Sequence, residues 1–235
     1  FNLPVSEVIP EVKEGLNNRN TLIIKAPTGA GKSTLLPIAL LEEQWLKGKK
    51  IIMLEPRRLA AKTVAIRMAD MMGEQVGETV GYRIRFEQKI SKKTRLEVVT
   101  EGILTRLIHQ DNSLEDTGLI IFDEFHERSI HADLAMALTK EIQGVLRQDL
   151  RILVMSATIN MPELALRLNA VEVHSEGRIY PIDLHYEGDS DWKILPEMVC
   201  QVVKKAIKSQ DGDVLVFLPG QSEIKKSQEL LRRSL

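Results

Sequence analysis

The chain has 235 residues, of which 43% are hydrophobic and 28% are charged. This apolar content allows a sizeable core and excludes a chain that is mainly disordered. The 32 lysines and arginines nearly balance the 33 aspartates and glutamates, so any contact with nucleic acid must come from a local groove and not from a global positive field.

The cysteine and hydropathy patterns exclude further classes. The single cysteine, Cys200, excludes an internal disulfide and a zinc site made of clustered cysteines. Apolar runs are short, such as residues 214–218, whereas a membrane span needs ~18 or more apolar residues. No secretory signal is visible at the start of the chain. We therefore expect a cytoplasmic protein with no membrane partner.

Several apolar, partly β-branched runs predict strands, and many of them are apolar at consecutive positions. Such runs are typical of strands that are covered on both faces, as in a parallel sheet. In chain order, the predicted strands are residues 21–25, 50–54, 95–100, 119–122, 151–155 and 213–218. Helical spacing between them predicts helices around residues 35–40, 61–71 and 134–142. This alternation predicts an α/β fold with βαβ crossovers and a central, mostly parallel sheet.

The pattern breaks near residues 175–181, where Pro181 restricts the preceding residue to an extended conformation. We predict a complete α/β domain over residues 1–175, a linker over 176–191 and the beginning of a second, similar domain over 192–235. A helix is expected over 192–207. Because so short a second piece cannot close a parallel sheet, we expect the chain to be part of a longer protein.

A glycine-rich segment follows the first predicted strand and precedes a helical pattern. It matches the phosphate-binding pattern G-x-x-x-x-G-K-[ST], with Ala26 in place of the first glycine. Glycines let the backbone N–H groups converge on one point, the lysine supplies charge for the β- and γ-phosphates, and the following hydroxyl binds Mg²⁺. The predicted nucleotide-binding residues are Thr28, Gly29, Ala30, Gly31, Lys32, Ser33 and Thr34.

A pair of acidic residues, Asp123 and Glu124, follows the predicted strand at 119–122. Carboxylates at the carboxyl end of a parallel strand lie at the edge where ligands bind. We predict that Asp123 holds Mg²⁺ through its water shell, that Glu124 shares this metal partly through water, and that Glu124 polarises the attacking water. The alternative, in which the pair only caps the next helix, is disfavoured by the phosphate loop in the same domain.

Together with His126, these segments resemble the DExH/DEAH class of superfamily 2 helicases. Further stretches occur in the order expected for that class, and the resemblance covers essentially the whole chain. They are Glu55-Pro56-Arg57-Arg58-Leu59-Ala60-Ala61, Gly81-Tyr82-Arg83-Ile84-Arg85-Phe86-Glu87, Thr100-Glu101-Gly102, Ser156-Ala157-Thr158 and Phe217-Leu218-Pro219-Gly220. The resemblance implies P-loop NTPase domains of the RecA-like fold. It also implies an RNA helicase that couples Mg²⁺-dependent ATP hydrolysis to 3′-to-5′ movement along single-stranded nucleic acid.

The resemblance also assigns roles to residues outside the phosphate loop. Contacts with the nucleic-acid backbone are implied for Arg57, Arg58, Thr100, Gly102 and Gly220. Two arginines at a predicted helix start are unfavourable to the helix dipole unless an anion lies there, which independently favours a phosphate contact for Arg57 and Arg58.

Four further residues have roles that only the resemblance implies. His126 would act with the catalytic carboxylates, and Arg67 would stack on adenine. Ser156 and Thr158 would link the nucleotide state to movement of the two domains. From the sequence alone, Arg67 is equally well explained as a solvent-facing helix residue.

No run of the type Q-R-x-G-R-x-G-R, which supplies arginines for hydrolysis in this class, occurs in these residues. We therefore expect the chain to bind ATP and ADP but to hydrolyse ATP poorly. Three alternatives stay open: a small-molecule kinase, an RNA-binding scaffold with a decayed ATPase site, and a helicase-like translocase that acts on DNA. The Asp-Glu-x-His run disfavours the first, and the intact Lys32 and Glu124 disfavour the second. No residue distinguishes RNA from DNA, because that distinction needs a contact with the 2′-hydroxyl.

Overall fold

The computed structural model describes residues 3–157, 161–176, 181–188, 191 and 194–234. The chain forms two compact units, residues 1–179 and 180–235. The assignment of residues 1–175, 176–191 and 192–235 to a first domain, a linker and a second domain stays a prediction. Within the described ranges, no helix is both long and apolar enough to cross a bilayer.

The first unit is built on a mostly parallel sheet, as the strand pattern predicts. Its strands are β1 (Thr21–Lys25), β2 (Lys50–Leu54), β3 (Val80–Ile84), β4 (Glu87–Lys89), β5 (Leu96–Val99), β6 (Thr117–Phe122), β7 (Arg151–Ser156) and β8 (Val171–His174). They lie in the order β4-β3-β5-β2-β6-β7-β1-β8. Only β3 and β4 pair antiparallel, and the other described neighbours pair in parallel.

Helices cover both faces of this sheet. They are α1 (Ile9–Asn18), α2 (Leu35–Ala39), α3 (Arg58–Met72), α4 (Glu101–Gln110), α5 (Ile130–Val145) and α6 (Met161–Leu168). In β1, Leu22 and Ile24 pack with α1, α2 and α3, whereas Ile23 packs with α4, α5 and α6. The consecutive apolar residues of the predicted strands are therefore explained by burial on both faces.

Three strands lack the sequence pattern that predicts the others. All three residues of the edge strand β4 are exposed, and the opposite edge strand β8 buries only Val173. Neither edge strand has a continuous apolar run. The third, β3, pairs with β4 and has two residues that are only partly buried.

The second unit contains α7 (Leu195–Ser209) and α8 (Gln221–Arg232). The first of these is the helix expected over 192–207, although residues 192 and 193 lie outside the described ranges. The strand predicted over 213–218 is wrong, because no described strand pairs with that segment. Its Leu215 and Phe217 are largely exposed. An extended segment becomes a strand only when a neighbour satisfies its backbone hydrogen bonds.

The parallel sheet brings five loops to its carboxyl edge, where ligands bind in open α/β sheets. The phosphate loop follows β1, and Glu55 follows β2. Thr100 follows β5, Asp123 follows β6, and Ala157 follows β7. These loops carry nearly all of the site residues that the sequence predicts for the first unit.

Candidate functional site

The phosphate loop turns sharply between β1 and α2 at its two glycines. Gly29 and Gly31 have φ angles of +78° and +91°, which favour glycine. A β-carbon on Gly31 would also lie 2.7 Å from a methyl carbon of Leu3. The Val5 amide donates to the Ala30 carbonyl at 3.0 Å. Leu3 and Val5, near the start of the chain, therefore pack against the phosphate loop. No sequence motif predicts this contact.

The helix after the phosphate loop confirms the helix predicted around residues 35–40, since α2 covers Leu35–Ala39. The Leu35 amide donates to the Gly31 carbonyl at 2.9 Å. Gly31 thus begins a first helical turn beneath Lys32 and Ser33. The Thr34 amide, which donates to the same Gly31 carbonyl at 3.3 Å, also closes this turn.

Lys32 and Glu124 form an ion pair at the centre of the site. The Lys32 ammonium donates to Glu124 Oε1 across 2.6 Å, and the lysine side chain is only 4% exposed. His126 Nδ1 lies 3.3 Å from the other carboxylate oxygen, Glu124 Oε2. The fold thus brings together three of the predicted catalytic residues. Glu124 Oε1 accepts a hydrogen bond from Lys32, whereas the buried His126 Nδ1 makes no hydrogen bond to a described residue.

Asp123 is the fourth predicted catalytic residue, and it is almost fully buried. Its amide donates to the Leu54 carbonyl at 3.0 Å, and its Oδ1 accepts from the Glu124 amide at 2.9 Å. Its Oδ2 is buried without a hydrogen-bond partner in the described part of the chain. Burial raises the pKa of Asp123, while the nearby Ser33 hydroxyl and Lys32 ammonium act in the opposite direction.

The residues present fit a magnesium ion. A carboxylate oxygen without a partner and a serine hydroxyl are hard oxygen donors, which Mg²⁺ prefers. No group of three or more His, Cys, Asp or Glu side chains in the described ranges could hold a metal by itself. Mg²⁺ at a phosphate loop needs no such group, because substrate phosphates and waters complete its shell. Ser33 and Asp123 are the residues that would hold it.

Glu55 is a buried acid beside Asp123, and the sequence gives no role to it. Burial, followed by the charge of Asp123, raises the pKa of Glu55 to about 9. The charges of Glu124 and Glu127 act in the same direction. Glu55 is therefore protonated at neutral pH and adds no negative charge next to Asp123. Only the fold reveals this residue, because its surroundings come from other parts of the chain.

The backbone is strained directly after the two predicted catalytic carboxylates, Asp123 and Glu124. Glu124 and Arg128 have φ angles of +49° and +45°, which are uncommon for residues other than glycine. Between them, Phe125–Glu127 form one turn of 3₁₀ helix. Phe125 is buried, and its ring meets that of Phe122 edge to face at 6.0 Å. Such strain persists at functional sites because surrounding contacts hold it in place.

The residues predicted to contact nucleic acid in the first unit lie at two helix starts. Arg57 and Arg58 are exposed at the start of α3, and Thr100 and Gly102 are at the start of α4. Arg57 Nη2 donates to Glu127 Oε1 at 2.8 Å. The Glu127 carboxylate thus supplies part of the negative charge that is expected near the two arginines at this helix start.

The other predicted residues make no described contact with the Lys32–Glu124 ion pair. Arg67 is exposed on α3 and forms no ion pair with the phosphate loop in the described part of the chain. Gly220 belongs to the second unit and precedes α8. Ser156 ends β7, its carbonyl accepts from the Ala26 amide at 3.0 Å, and its buried hydroxyl has no described partner. Thr158 lies outside the described residues.

A cationic groove beside α4 adds residues for which the sequence gives no role. It has a volume of about 570 Å³ and lies between the β3–β4 hairpin and α4. Arg83, Arg85 and Arg106 line it. The Arg85 guanidinium lies 4.7 Å above the ring of Phe86, which is 90% exposed. An exposed aromatic ring among arginines is the combination that binds single-stranded nucleic acid.

Comparison with known proteins shows the family of this chain. A family model described as DEAD/DEAH box helicase matches residues 5–166. The chain is 46% identical to the ATP-dependent RNA helicase HrpB of Escherichia coli strain K12, over 98% of this chain and 28% of that protein. It is 38% identical to the ATP-dependent RNA helicase HrpA of Borreliella burgdorferi, over 97% of this chain and 28% of that protein.

Solved structures show the same likeness. The crystal structure of the Escherichia coli DEAH/RHA helicase HrpB matches with a TM-score of 0.87 and 44% identity, over all of this chain and 30% of that one. Within the class, Phe125 in Asp-Glu-Phe-His-Glu-Arg-Ser, where alanine is usual, indicates HrpB, and these comparisons confirm that prediction. The chain spans less than a third of the length of these relatives. Because the family model matches more than half of its residues, the chain belongs to the DEAD/DEAH box helicase family.

Proposed function

We propose that this chain is part of an ATP-dependent RNA helicase and contains most of its nucleotide site. One observation carries the proposal: Lys32, Asp123 and Glu124 converge at the same sheet edge that places Arg57 beside the catalytic turn. The predicted phosphate site and the predicted nucleic-acid contact are therefore only three positions apart in the sequence, from Glu124 to Glu127, which contacts Arg57. The names of the relatives, which are RNA helicases, support RNA as the polymer.

The phosphate loop binds the nucleotide through its backbone amides and Lys32. When ATP binds, the Lys32 ammonium exchanges its contact with Glu124 Oε1 for phosphate oxygens. That exchange frees Glu124 Oε1 to accept a proton from the attacking water and to orient this water. Ser33 and Asp123 would hold Mg²⁺, which would supply positive charge to offset the charge that develops on the phosphates. His126 stays beside Glu124 Oε2 and fixes the position of the carboxylate.

The nucleic-acid strand is expected to lie across the starts of α3 and α4. Arg57 and Arg58 supply charge to its phosphates, while Thr100 and the open surface at Gly102 offer a hydroxyl and backbone amides. Contacts of this kind position a strand without reading its sequence. The groove with Arg85 and Phe86 extends this surface and supplies a ring on which a base can stack.

The finer parts of the function rest on the family resemblance. They are 3′-to-5′ movement, coupling through Ser156 and Thr158, adenine stacking on Arg67, a backbone contact at Gly220 and a cytoplasmic location. A two-domain cleft that closes on ATP would supply the movement. We also propose that these 235 residues alone bind nucleotide but hydrolyse it slowly.

The proposal is tested by ATP turnover of the full-length protein, with and without single-stranded RNA, beside its Lys32→Ala variant. We expect strong stimulation by RNA that is lost in the variant. Single-stranded DNA of equal length shows whether the polymer must be RNA. Turnover that ignores both polymers would overturn the helicase function in favour of a small-molecule kinase. A Glu124→Gln variant whose ATP turnover equals that of wild type would favour a scaffold with a decayed ATPase site, because Glu124 would then contribute nothing to hydrolysis.

A further inference from the structure

The starting observation is the ion pair between Arg57 and Glu127, whose closest atoms are 2.8 Å apart. The side chain of Arg57 is 71% exposed and that of Glu127 is 33% exposed. Water and salt screen a pair this exposed, so it is weak. A phosphate group can therefore displace the carboxylate, because phosphate binds guanidinium through two parallel hydrogen bonds.

A backbone hydrogen bond also links Glu127 to Glu124. Its amide donates to the Glu124 carbonyl at 2.9 Å, within the strained turn between Glu124 and Arg128. The far end of the turn is fixed, because Arg128 pairs with Asp133 at 2.8 Å. Ser129 caps α5 through the Ala132 amide and donates to Glu101 at 2.7 Å. Glu127 is thus the member of the turn that contacts the start of α3.

We propose that Glu127 is an acidic latch on Arg57 that the nucleic-acid backbone must displace. This inference rests on the proposed function and names a regulation of the same site. While the latch is closed, Arg57 is neutralised by a residue three positions from Glu124. When a phosphate takes Arg57, Glu127 is released from its only described ion pair. Glu127 is therefore a positioning residue. It lowers the affinity of Arg57 for the nucleic-acid strand. Its release links phosphate binding at Arg57 to the strained turn between Glu124 and Arg128.

The latch is tested by a double-mutant cycle on the full-length protein. A fluorescein-labelled single-stranded oligouridylate is titrated against wild type, Glu127→Gln, Arg57→Gln and the double variant, with anisotropy as the readout. We expect Glu127→Gln to bind RNA about two- to fivefold more tightly, as the loss of one exposed ion pair allows. We expect the double variant to bind no more tightly than Arg57→Gln, because the latch acts only through Arg57.

A matched control separates the latch from general repulsion of the polyanion. Glu163→Gln removes one charge from another exposed Arg–Glu pair, with Arg167 at 2.8 Å, and should leave affinity unchanged. The KM for ATP without RNA is measured in parallel for Glu127→Gln, because a raised KM would reveal distortion of the turn that follows Glu124 and would overturn the latch as the cause of tighter binding. Equal tightening in Glu163→Gln, or in the Arg57→Gln background, would overturn the latch.

The test also separates failure of the latch from failure of the helicase function. If wild type and Glu127→Gln bind RNA equally well, the latch is wrong while the helicase proposal stands. If wild type binds no single-stranded RNA and its ATP turnover ignores RNA, the helicase proposal fails and the latch fails with it.

Discussion

The two edges of the sheet in the first unit both bury polar side chains, but they satisfy them differently. At the amino edge, Gln143 donates to the carbonyls of Asn20 and Leu150 at 2.9 and 2.8 Å. At the carboxyl edge, Asp123 Oδ2 and the Ser156 hydroxyl are buried without a described partner. Since most buried polar atoms in proteins are hydrogen-bonded, each exception needs an explanation.

The amino edge shows what a purely structural polar cluster looks like. Arg147 is largely buried and donates to the carbonyls of Ser113, Leu114 and Thr117 at 2.7–3.0 Å. Its guanidinium also binds Asp149 at 2.7 Å. These bonds close a loop between α4 and β6. In the described part of the first unit, the two buried side-chain oxygens without a partner, Asp123 Oδ2 and the Ser156 hydroxyl, both lie at the carboxyl edge, whereas the amino edge leaves only nitrogens of Trp45 and Arg95 unpartnered.

The largest expected effect is on catalysis at the carboxyl edge. Glu124→Gln should reduce RNA-stimulated ATP turnover about 10²–10⁴-fold, because the variant loses the acceptor that orients the attacking water. Its melting temperature should stay within a few degrees of wild type. Turnover and thermal melting of the full-length protein measure both quantities. A variant that loses stability together with activity would mean that this edge also serves the fold.

At the amino edge the opposite result is expected. Arg147→Met should lower the free energy of unfolding by about 2–4 kcal/mol, since it removes the partner of three carbonyls and of the Asp149 charge. ATP turnover per folded molecule should not change. Urea denaturation measures the loss. Arg19→Met, at an exposed position, is the matched control and should change stability by less than about 0.5 kcal/mol. Equal losses in both variants would refute the role of Arg147.

Removing the arginine at the start of α3 should affect only binding. Arg57→Gln should raise the RNA concentration for half-maximal ATPase stimulation about five- to tenfold. It should also lower the slope of log affinity against log salt by about one, because one phosphate contact is lost. Arg167→Gln, in the exposed pair on α6, should leave both quantities unchanged. An unaltered salt slope in Arg57→Gln would exclude a phosphate contact at this residue.

The smallest effect is expected from a carboxylate at the amino edge. The Arg147 guanidinium, aided by Lys49, holds the pKa of Asp149 well below its usual range. The charge of Asp149 therefore stabilises the fold above pH ~4, and that contribution is lost as the pH falls through the folded-state pKa. Because Asp149 is half exposed, Asp149→Asn should cost less than about 1 kcal/mol at pH 7.

The pH dependence is measured by urea denaturation between pH 7 and pH 2. The difference in stability between wild type and Asp149→Asn should shrink as the pH falls below about 4. A difference that stays constant to pH 2 would show that the ionised carboxylate of Asp149 contributes nothing.

The sequence predicts the local chemistry of the site better than its tertiary contacts. The boundaries predicted for β1 and β2 match the structure, and Lys32, Asp123 and Glu124 meet as their motifs require. Motifs encode these features because phosphate loops and strand-end carboxylates repeat a fixed local geometry. The edge strands β4 and β8 escape prediction, since strands with few buried residues carry little apolar signal.

Two acidic residues show why the remainder of the site needs the fold. The pKa of Glu55 is raised by burial and then by the charge of Asp123, which is nearly seventy positions later in the sequence. Glu127 matters because it reaches Arg57 on another loop. Neither relation follows a sequence period or a spacing rule. The prediction for residues 213–218 fails for the opposite reason. These residues suit a strand, but no described strand pairs with them.

Lys32, Ser33 and the Asp123 carboxylate oxygen that has no described partner are proposed to form a magnesium–nucleotide site at the carboxyl edge. The most direct test is calorimetric titration of the full-length protein with ADP, with Mg²⁺ and with EDTA. Wild type and Lys140→Met, an amino-edge variant, should bind Mg²⁺–ADP equally, while EDTA or the Lys32→Ala substitution should weaken binding at least tenfold. Equal binding by all three proteins, with or without Mg²⁺, would contradict the account.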